Sequence, residues 1–139
     1  MNKRTNSPGR VTIPTNLEYI GASAFSSCVL LPLRNLMLPS SLKYIGENAF
    51  EYCDAFNGDI TIPVNVQIID TRAFFMSTNV NKVLVENCNT EVRYQAFYGG
   101  NYVMQVECRQ TRYFSENAFD NGIVNLPVMY LFSSFVLWM

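Results

Sequence analysis

The first candidates for chemistry in this chain are its 11 carboxylates and 4 cysteines, and the sequence contains no histidine. Histidine is the commonest general base and the commonest metal ligand, so its absence removes both options. The carboxylates are scattered, and no pair of them recurs at a spacing that indicates acid–base catalysis. The loop at 54–59, DAFNGD, lacks the spacing of an EF-hand, so calcium binding is not favoured. The sequence therefore predicts no catalytic residue, no cofactor and no metal ion.

The cysteines are too widely spaced for a zinc site. They are Cys28, Cys53, Cys88 and Cys108, separated by 25, 35 and 20 residues, and no CxxC pair occurs. Cys28 and Cys53 each follow a phenylalanine by three residues, at equivalent points of a repeat described below. A disulfide between them needs Cα atoms within about 7 Å, which neighbouring copies of a stacked repeat could provide. Buried, reduced thiols that pack as small hydrophobic side chains are the favoured interpretation.

Length and composition indicate one folded domain and argue against a nucleic-acid or membrane partner. The 139 residues are 49% hydrophobic and 15% charged, which is enough apolar material for a core. The formal net charge is -1, and the only basic cluster, Lys3, Arg4 and Arg10, is typical of a solvated leader. No apolar signal segment opens the sequence, so either the protein is cytosolic or its export signal lies outside this sequence.

An Ala-Phe pair recurs along the chain and sets the period of a repeat. The pairs are Ala24-Phe25, Ala49-Phe50, Ala73-Phe74, Ala96-Phe97 and Ala118-Phe119, with the phenylalanines 25, 24, 23 and 22 residues apart. Five copies at a nearly fixed period predict a solenoid, in which each copy forms one coil stacked on the next. We expect the five phenylalanines to form a continuous spine in the core.

A short segment of alternating apolar residues precedes each phenylalanine and predicts one strand per coil. The segments lie at 11–13, 36–38, 60–62, 83–85 and 104–106, with a partial sixth at 124–126. Proline directly follows the first three segments and the sixth and would end pairing there, so each strand should have about three or four residues. Stacked roughly 4.8 Å apart, these strands would form a parallel sheet.

The remainder of each coil predicts a loop that leads into one or two turns of helix. In the first copy, Leu17 and Ile20 lie three residues apart and precede the Ala-Phe pair at helical spacing. Gly21 and Gly46 occupy one equivalent position in the first two copies, where we expect a turn that prefers φ > 0.

The repeat pattern carries a resemblance to a known family. The best copies read IPTNLEYIGASAFSSC at 13–28 and LPSSLKYIGENAFEYC at 38–53, and a weaker copy, IPVNVQIIDTRAF, follows at 62–74. The pattern resembles the BspA-type leucine-rich repeat from residue 11 to about residue 122. The resemblance implies an α/β repeat solenoid, with a short-stranded parallel sheet on one face and short helical turns or loops on the other. It also implies a non-enzymatic, protein-binding segment of an adhesin-like protein of the cell surface or the secreted fraction, with a host or matrix protein as partner.

The chain then divides into a polar leader (1–10), a leucine-rich repeat array of five coils and a partial sixth (11–127), and an apolar tail (128–139). The tail is interpreted as a cap or as a truncated repeat. An open solenoid end exposes core side chains and a strand edge, so we expect self-association through uncapped ends.

Strand residues that point away from the core are the predicted protein-binding face, because solenoids bind partners on such extended surfaces. Alternation predicts two columns, of which one holds Arg10, Asn35, Asp59, Lys82 and Val103, and the other Thr12, Met37, Thr61, Leu84 and Gln105. The mixture of charged, polar and apolar groups suits a protein ligand; solvated sheet residues without a ligand are the alternative. A tyrosine column, Tyr19, Tyr44 and Tyr113, is interrupted by Ile68 and Glu91, so we expect partial burial in loop packing there.

Two other functions compete with protein binding. A carbohydrate-binding or carbohydrate-active β-helix has a similar coil length, but it should carry two or three strands per coil and clustered charges on one face. The Ala-Phe segment predicts helix and the charges do not cluster, so this alternative ranks lower. The third possibility is a structural spacer between other domains.

Overall fold

The computed structural model describes residues 12–29, 37–55, 58–87, 89–99, 103–106, 115 and 117–118. Within these residues the chain forms β-strands and turns and no helix. The strands are β1 (Tyr19–Ile20), β2 (Tyr44–Ile45), β3 (Gly58–Ile62), β4 (Ile68–Ile69), β5 (Val80–Val85), β6 (Glu91–Val92) and β7 (Val103–Val106). We number the coils by the phenylalanine that each contains: coil 1 has Phe25, coil 2 Phe50, coil 3 Phe74 and coil 4 Phe97.

The strands form two parallel sheets, and from β2 to β7 the chain alternates between them as it winds. The first sheet has the order β3-β5-β7 and the second the order β1-β2-β4-β6. Pairs in register lie one coil apart: Ile60 pairs with Val83, and Tyr44 pairs with Ile68. This regular stacking of coils confirms the predicted repeat solenoid.

The first sheet contains the strands predicted at 60–62, 83–85 and 104–106. It is built as expected, with Ile60 and Ile62 buried, Asp59 and Thr61 exposed, and Pro63 directly after β3. The described parts of the segments predicted at 11–13 and 36–38 are not in strands, and the segment at 124–126 lies outside the described residues. Two of the three strands are longer than predicted, at 5 and 6 residues, and β7 has 4.

The second sheet is a difference from the prediction of one strand per coil. Its strands have two residues each, and the second of each pair is buried: Ile20, Ile45, Ile69 and Val92. Pairing extends across the coils, since the N–H of Gly46 donates to the carbonyl of Ile20 at 2.9 Å and the N–H of Asp70 donates to that of Ile45 at 2.9 Å. Coils 3 and 4 therefore carry two strands each, one in the first sheet and one in the second.

The Ala-Phe segments form successive turns and no helix. Of the two possibilities in the predicted fold, helical turns or loops, the structure therefore shows loops. The residues two places before and two places after each of these four phenylalanines have a left-handed backbone. These residues are Ser23, Ser27, Asn48, Tyr52, Arg72, Met76, Gln95 and Gly99, with φ between 50° and 81°. Left-handed residues interrupt a right-handed helix. Every second N–H group of the segment donates to the next coil, as Phe25 does to the Ala49 carbonyl at 2.7 Å, and the N–H groups between them close turns, as Ala24 does to the Gly21 carbonyl at 3.3 Å.

The phenylalanines of the repeat stack face to face through the core. Ring centroids lie 5.1 Å apart from Phe25 to Phe50, 5.0 Å from Phe50 to Phe74 and 5.1 Å from Phe74 to Phe97, with planes within 11° of parallel. The alanine before each phenylalanine is fully buried at Ala49, Ala73 and Ala96. The predicted spine is thus confirmed over four coils, and Phe119 lies outside the described residues.

The expected reason for glycine at 21 and 46 is wrong. Neither Gly21 nor Gly46 has a positive φ. At Gly46 the requirement is steric, because an added Cβ would lie 2.7 Å from the carbonyl carbon of Gly21 and 2.8 Å from the carbonyl oxygen of Ile20. The requirement is local to coil 2, because the equivalent N–H groups of Asp70 and Arg93 pair with their preceding coils at 2.9 and 3.0 Å, as Gly46 does at 2.9 Å.

Candidate functional site

The candidate site is the solvent side of the first sheet, called the outer face here and formed by Asp59, Thr61, Lys82 and Leu84. Asp59 and Thr61 are exposed, and Lys82 and Leu84 are half-buried, because the alternating residues Ile60, Ile62, Val83 and Val85 fill the core side. The strand pleat thus separates the outer face from the core, as the sequence predicts.

The register places the predicted columns side by side. Asp59 is opposite Lys82, which is opposite Val103, and Thr61 is opposite Leu84, which is opposite Gln105. For Val103 and Gln105 the structure describes only the strand backbone. The arrangement of these six positions in two columns is therefore as predicted.

The four other predicted site residues are not part of this sheet as described. Met37 is the most exposed large hydrophobic residue among those described, at 76%, and Thr12 is also exposed, but neither lies in a strand. Arg10 and Asn35 lie outside the described residues.

The charged groups of the outer face form no ion pair with each other or with another residue of the described part of the chain. Although Asp59 and Lys82 are opposite each other, neither the Asp59 carboxylate nor the Lys82 ammonium group makes an ion pair or hydrogen bond to a described residue. Together with Thr61 and Leu84, these two groups place charged, hydroxyl and apolar side chains on one surface.

On the solvent side of the second sheet, the charges are instead used between coils. The guanidinium of Arg93 donates to both carboxylate oxygens of Asp70 at 3.2 Å and to Glu91 at 2.8 Å, and the Tyr44 hydroxyl donates to Asp70 as well. Burial would raise the pKa of Asp70, but the hydrogen bonds from Tyr44, the N–H of Thr71 and Arg93 outweigh it, so the pKa lies below the ordinary 3.8. This cluster joins coils 2, 3 and 4, and its groups are already satisfied.

The tyrosine column lies on this second sheet. Tyr19 and Tyr44 are paired in β1 and β2, with ring centroids 6.5 Å apart. Tyr44 is half-buried as expected, whereas Tyr19 is 61% exposed, and Tyr113 lies outside the described residues. Lys43 and Glu18 form a surface ion pair beside them at 3.0 Å.

Cys28 and Cys53 are both free thiols in this structure, as the favoured interpretation expects; Cys53 is also buried as expected, whereas Cys28 is half-buried. The Cys53 thiol points to the carbonyl of Cys28 at 3.5 Å, and burial, with a smaller contribution from Cys28, raises its pKa to about 12. Only the thiolate is a strong nucleophile, so Cys53 is unreactive at neutral pH. In coil 3, Ser77 takes the same position and donates to the Phe50 carbonyl at 2.6 Å.

A feature that the sequence analysis missed is an aromatic row on the turn side. Phe75 stacks on Tyr98 at 5.4 Å and meets the edge of Tyr52 at 5.7 Å, and the Arg72 guanidinium lies 4.8 Å above the Phe75 ring. A signal was available, because each of these aromatic residues comes one or two places after the repeated phenylalanine. The stacked rings cover one another's faces, so the row contributes to packing between coils.

Neither a group of side chains suited to a metal ion nor a membrane-spanning helix is found in the described part of the chain. No group of three or more His, Cys, Asp or Glu side chains there could hold a metal ion. The described residues also contain no helix of the length and apolarity needed to cross a bilayer.

Comparisons with known proteins identify the repeat. A family model, described as the BspA type leucine-rich repeat region, matches residues 3–126 in 6 copies. A search of curated proteins finds no match, and neither does a search of solved structures.

Proposed function

The chain belongs to the BspA-type leucine-rich repeat family, and from this membership we propose that it is a non-enzymatic protein-binding module whose ligand contacts the outer face. Membership of the family supports a protein-interaction or surface role. The choice of the outer face comes from the geometry of this chain.

The observation that carries the proposal is the pair Asp59 and Lys82, which are aligned across two coils but form no ion pair with each other or with another described residue. Charges of opposite sign that stay unpaired in the free protein can orient a partner with complementary charges. Thr61 and Leu84 lie in the neighbouring column, so a hydroxyl and an apolar side chain are available beside the charges. By contrast, Asp70 and Arg93 on the second sheet bind each other, so they have less to offer a ligand.

The ligand that best fits this surface is a folded or extended protein segment with mixed charge. A polyanion would require basic groups that continue from coil to coil, and here Lys82 is opposite Asp59. In line with the family, we place the chain in an adhesin-like protein at the cell surface or in the secreted fraction, with a host or matrix protein as partner.

The proposal can be tested with the full chain by measuring its binding to immobilised collagen, laminin and fibronectin by biolayer interferometry. A double charge reversal, D59K with K82D, should weaken binding to any of these ligands at least tenfold, because truncation or reversal of central interface charges removes or opposes favourable contacts. A matched reversal on the second sheet, E18K with K43E, restores its own ion pair and should leave binding unchanged.

The result that would overturn the proposal is a ligand bound equally well by the wild type and the outer-face variant. Binding lost equally in both double variants would show a non-specific charge effect and would also contradict it. If no panel protein binds, the same comparison is made with surface proteins pulled down by the wild-type chain. A structural spacer would yield no captured protein that depends on Asp59 and Lys82.

A further inference from the structure

The solvent side of the Ala-Phe turns, called the turn side here, carries one cation among the described residues, Arg72 of coil 3. Two contacts fix its side chain. The guanidinium lies 4.8 Å from the centre of the Phe75 ring, and its Nε–H donates to the side-chain oxygen of Gln95 in coil 4 at 3.0 Å. Stacking on an aromatic face and a hydrogen bond to the next coil both restrict a long, flexible side chain. Arg72 is therefore oriented before any ligand binds.

The two terminal nitrogens of Arg72, Nη1 and Nη2, make no hydrogen bond and no ion pair to a described residue. Their N–H donors form a planar fork that matches the two oxygens of a carboxylate. Arg93, the other arginine in the described part of the chain, differs in this respect. Its Nη1 donates to both carboxylate oxygens of Asp70 at 3.2 Å, and its Nε donates to Glu91 at 2.8 Å. One arginine is thus already satisfied by carboxylates, and the other is not.

The surface around Arg72 is aromatic. Phe75 and Tyr98 are half-buried members of the aromatic row, and Tyr52 beside them is 47% exposed. Tyr94, whose carbonyl accepts from the N–H of Arg72 at 3.0 Å, is 46% exposed. Tyrosine, phenylalanine and arginine are the residue types enriched at protein–protein interfaces, and tyrosine and arginine dominate their energetic centres. The composition of this surface therefore favours a protein as the partner.

The charges of the turn side favour a single carboxylate over a polyanion. Its other charged residues among those described are Glu47 and Glu51 of coil 2, and neither forms an ion pair with Arg72. A phosphate group or an acidic polymer would bring two or more negative charges to one cation that has two carboxylates on the preceding coil, and repulsion opposes this. A carboxylate brings one charge and occupies both terminal nitrogens of the fork.

We propose that the turn side of coils 3 and 4 is a second protein-binding surface, on which Arg72 pairs with an aspartate or glutamate side chain of a partner protein. The exposed tyrosines pack against the residues beside that side chain. Because the guanidinium is already oriented, the pairing avoids part of the ordering cost that weakens ion pairs of mobile surface side chains. The turn side shares no residue with the outer face, so this surface stands or fails independently of the function proposed above.

The test is nuclear magnetic resonance of the isotope-labelled full chain, in which the Nε–H signals of Arg72 and Arg93 report on each guanidinium separately. The probe is the peptide acetyl-Tyr-Asp-Tyr-amide, whose only charge is its carboxylate. It should shift the Arg72 signal saturably and leave the Arg93 signal in place. The matched peptide acetyl-Tyr-Asn-Tyr-amide lacks the charge and should bind at least tenfold more weakly. A third peptide, with phosphoserine in place of aspartate, should also bind more weakly than the aspartate peptide.

Two variants separate the fork of Arg72 from its charge. R72K keeps the positive charge but has no planar fork, and it should weaken binding of the aspartate peptide at least fivefold, measured by the backbone amide shifts of Gln95 and Tyr98. The matched control K82Q removes a cation from the outer face and should leave the affinity unchanged. If circular dichroism shows a disturbed fold in R72K, the variant Q95A, which removes the hydrogen bond to Nε, should weaken binding in its place.

An Arg72 signal that moves with the aspartate peptide, together with affinity lost in R72K or Q95A and kept in K82Q, supports the proposal. Equal binding of the aspartate and asparagine peptides overturns it, as does tighter binding of the phosphoserine peptide. An Arg72 signal that no peptide moves also overturns it, and so does a loss of affinity in K82Q that equals or exceeds the loss in the turn-side variants.

Discussion

The rings of Phe50 and Phe74, from successive coils, are parallel within 11° with their centroids 5.0 Å apart. Their separation is close to the spacing of adjacent strands in a sheet, which is 4.7–4.9 Å. The aromatic stack and the two sheets therefore advance together, and each coil contributes one ring to a continuous core. A change at one ring acts on both neighbouring coils.

The variant F74A should lower the free energy of unfolding by about 3–5 kcal/mol, because it opens a cavity between the rings of coils 2 and 4. Chemical denaturation followed by circular dichroism measures the loss. The control F25A removes the same side chain from coil 1, where the ring is half-buried and has a stacking neighbour on one side only among the described residues. Equal losses in the two variants would show that the stack does not carry the stability of the core.

The two glycines of the repeat should respond differently to alanine. G46A places a Cβ against backbone atoms of coil 1, which cannot rotate away, and should cost about 1–3 kcal/mol. G21A meets no atom within 4 Å and should change the free energy of unfolding by less than about 0.5 kcal/mol. Thermal and denaturant unfolding at low protein concentration give both values, and a costly G21A would contradict this account.

The first sheet was predictable because its strands are long enough to show alternation. Four successive residues from Asp59 to Ile62 switch between solvent and core, and the proline after them ends the strand. The second sheet was not predictable in this way, since a two-residue strand such as Tyr44–Ile45 has no period that could be told from a helix. With two strands in coils 3 and 4, strand number no longer separates this chain from a β-helix, and the family match makes that distinction.

The turn conformation was hidden for a different reason. Left-handed backbone is usually inferred from glycine, but here Ser23, Asn48 and Arg72 adopt it, because hydrogen bonds to the next coil fix the turn. The outer face was predictable in its register from the repeat alone. The cluster of Tyr44, Asp70 and Arg93 had a weaker signal, namely opposite charges at one repeat position in successive coils.

The variant C53S should retain the fold with a loss of less than about 1 kcal/mol. Ser77, at the equivalent position of coil 3, shows that a hydroxyl is satisfied there by the carbonyl of the preceding coil, and Cys53 already points to the Cys28 carbonyl. The variant C53A removes the donor and leaves a small gap, so it should be less stable than C53S. Denaturant midpoints of the two variants test this order, and the reverse order would contradict the equivalence.

Asp70 should make the stability of the protein depend on pH in the acid range. Its folded pKa lies below the ordinary 3.8, so the carboxylate stabilises the fold fully above about pH 5, and this contribution is lost as the pH falls through the folded pKa. The variant D70N removes the titrating carboxylate and loses the charge-assisted bonds to Tyr44 and Arg93. At neutral pH it should therefore be less stable than the wild type, and the difference should shrink on acidification.

Unfolding measured from about pH 7 to about pH 2 tests this prediction for D70N. The control is E18Q, which breaks an exposed ion pair and should show little change. A difference between D70N and the wild type that is constant with pH would show that the cluster acts by packing and not through the charge of Asp70.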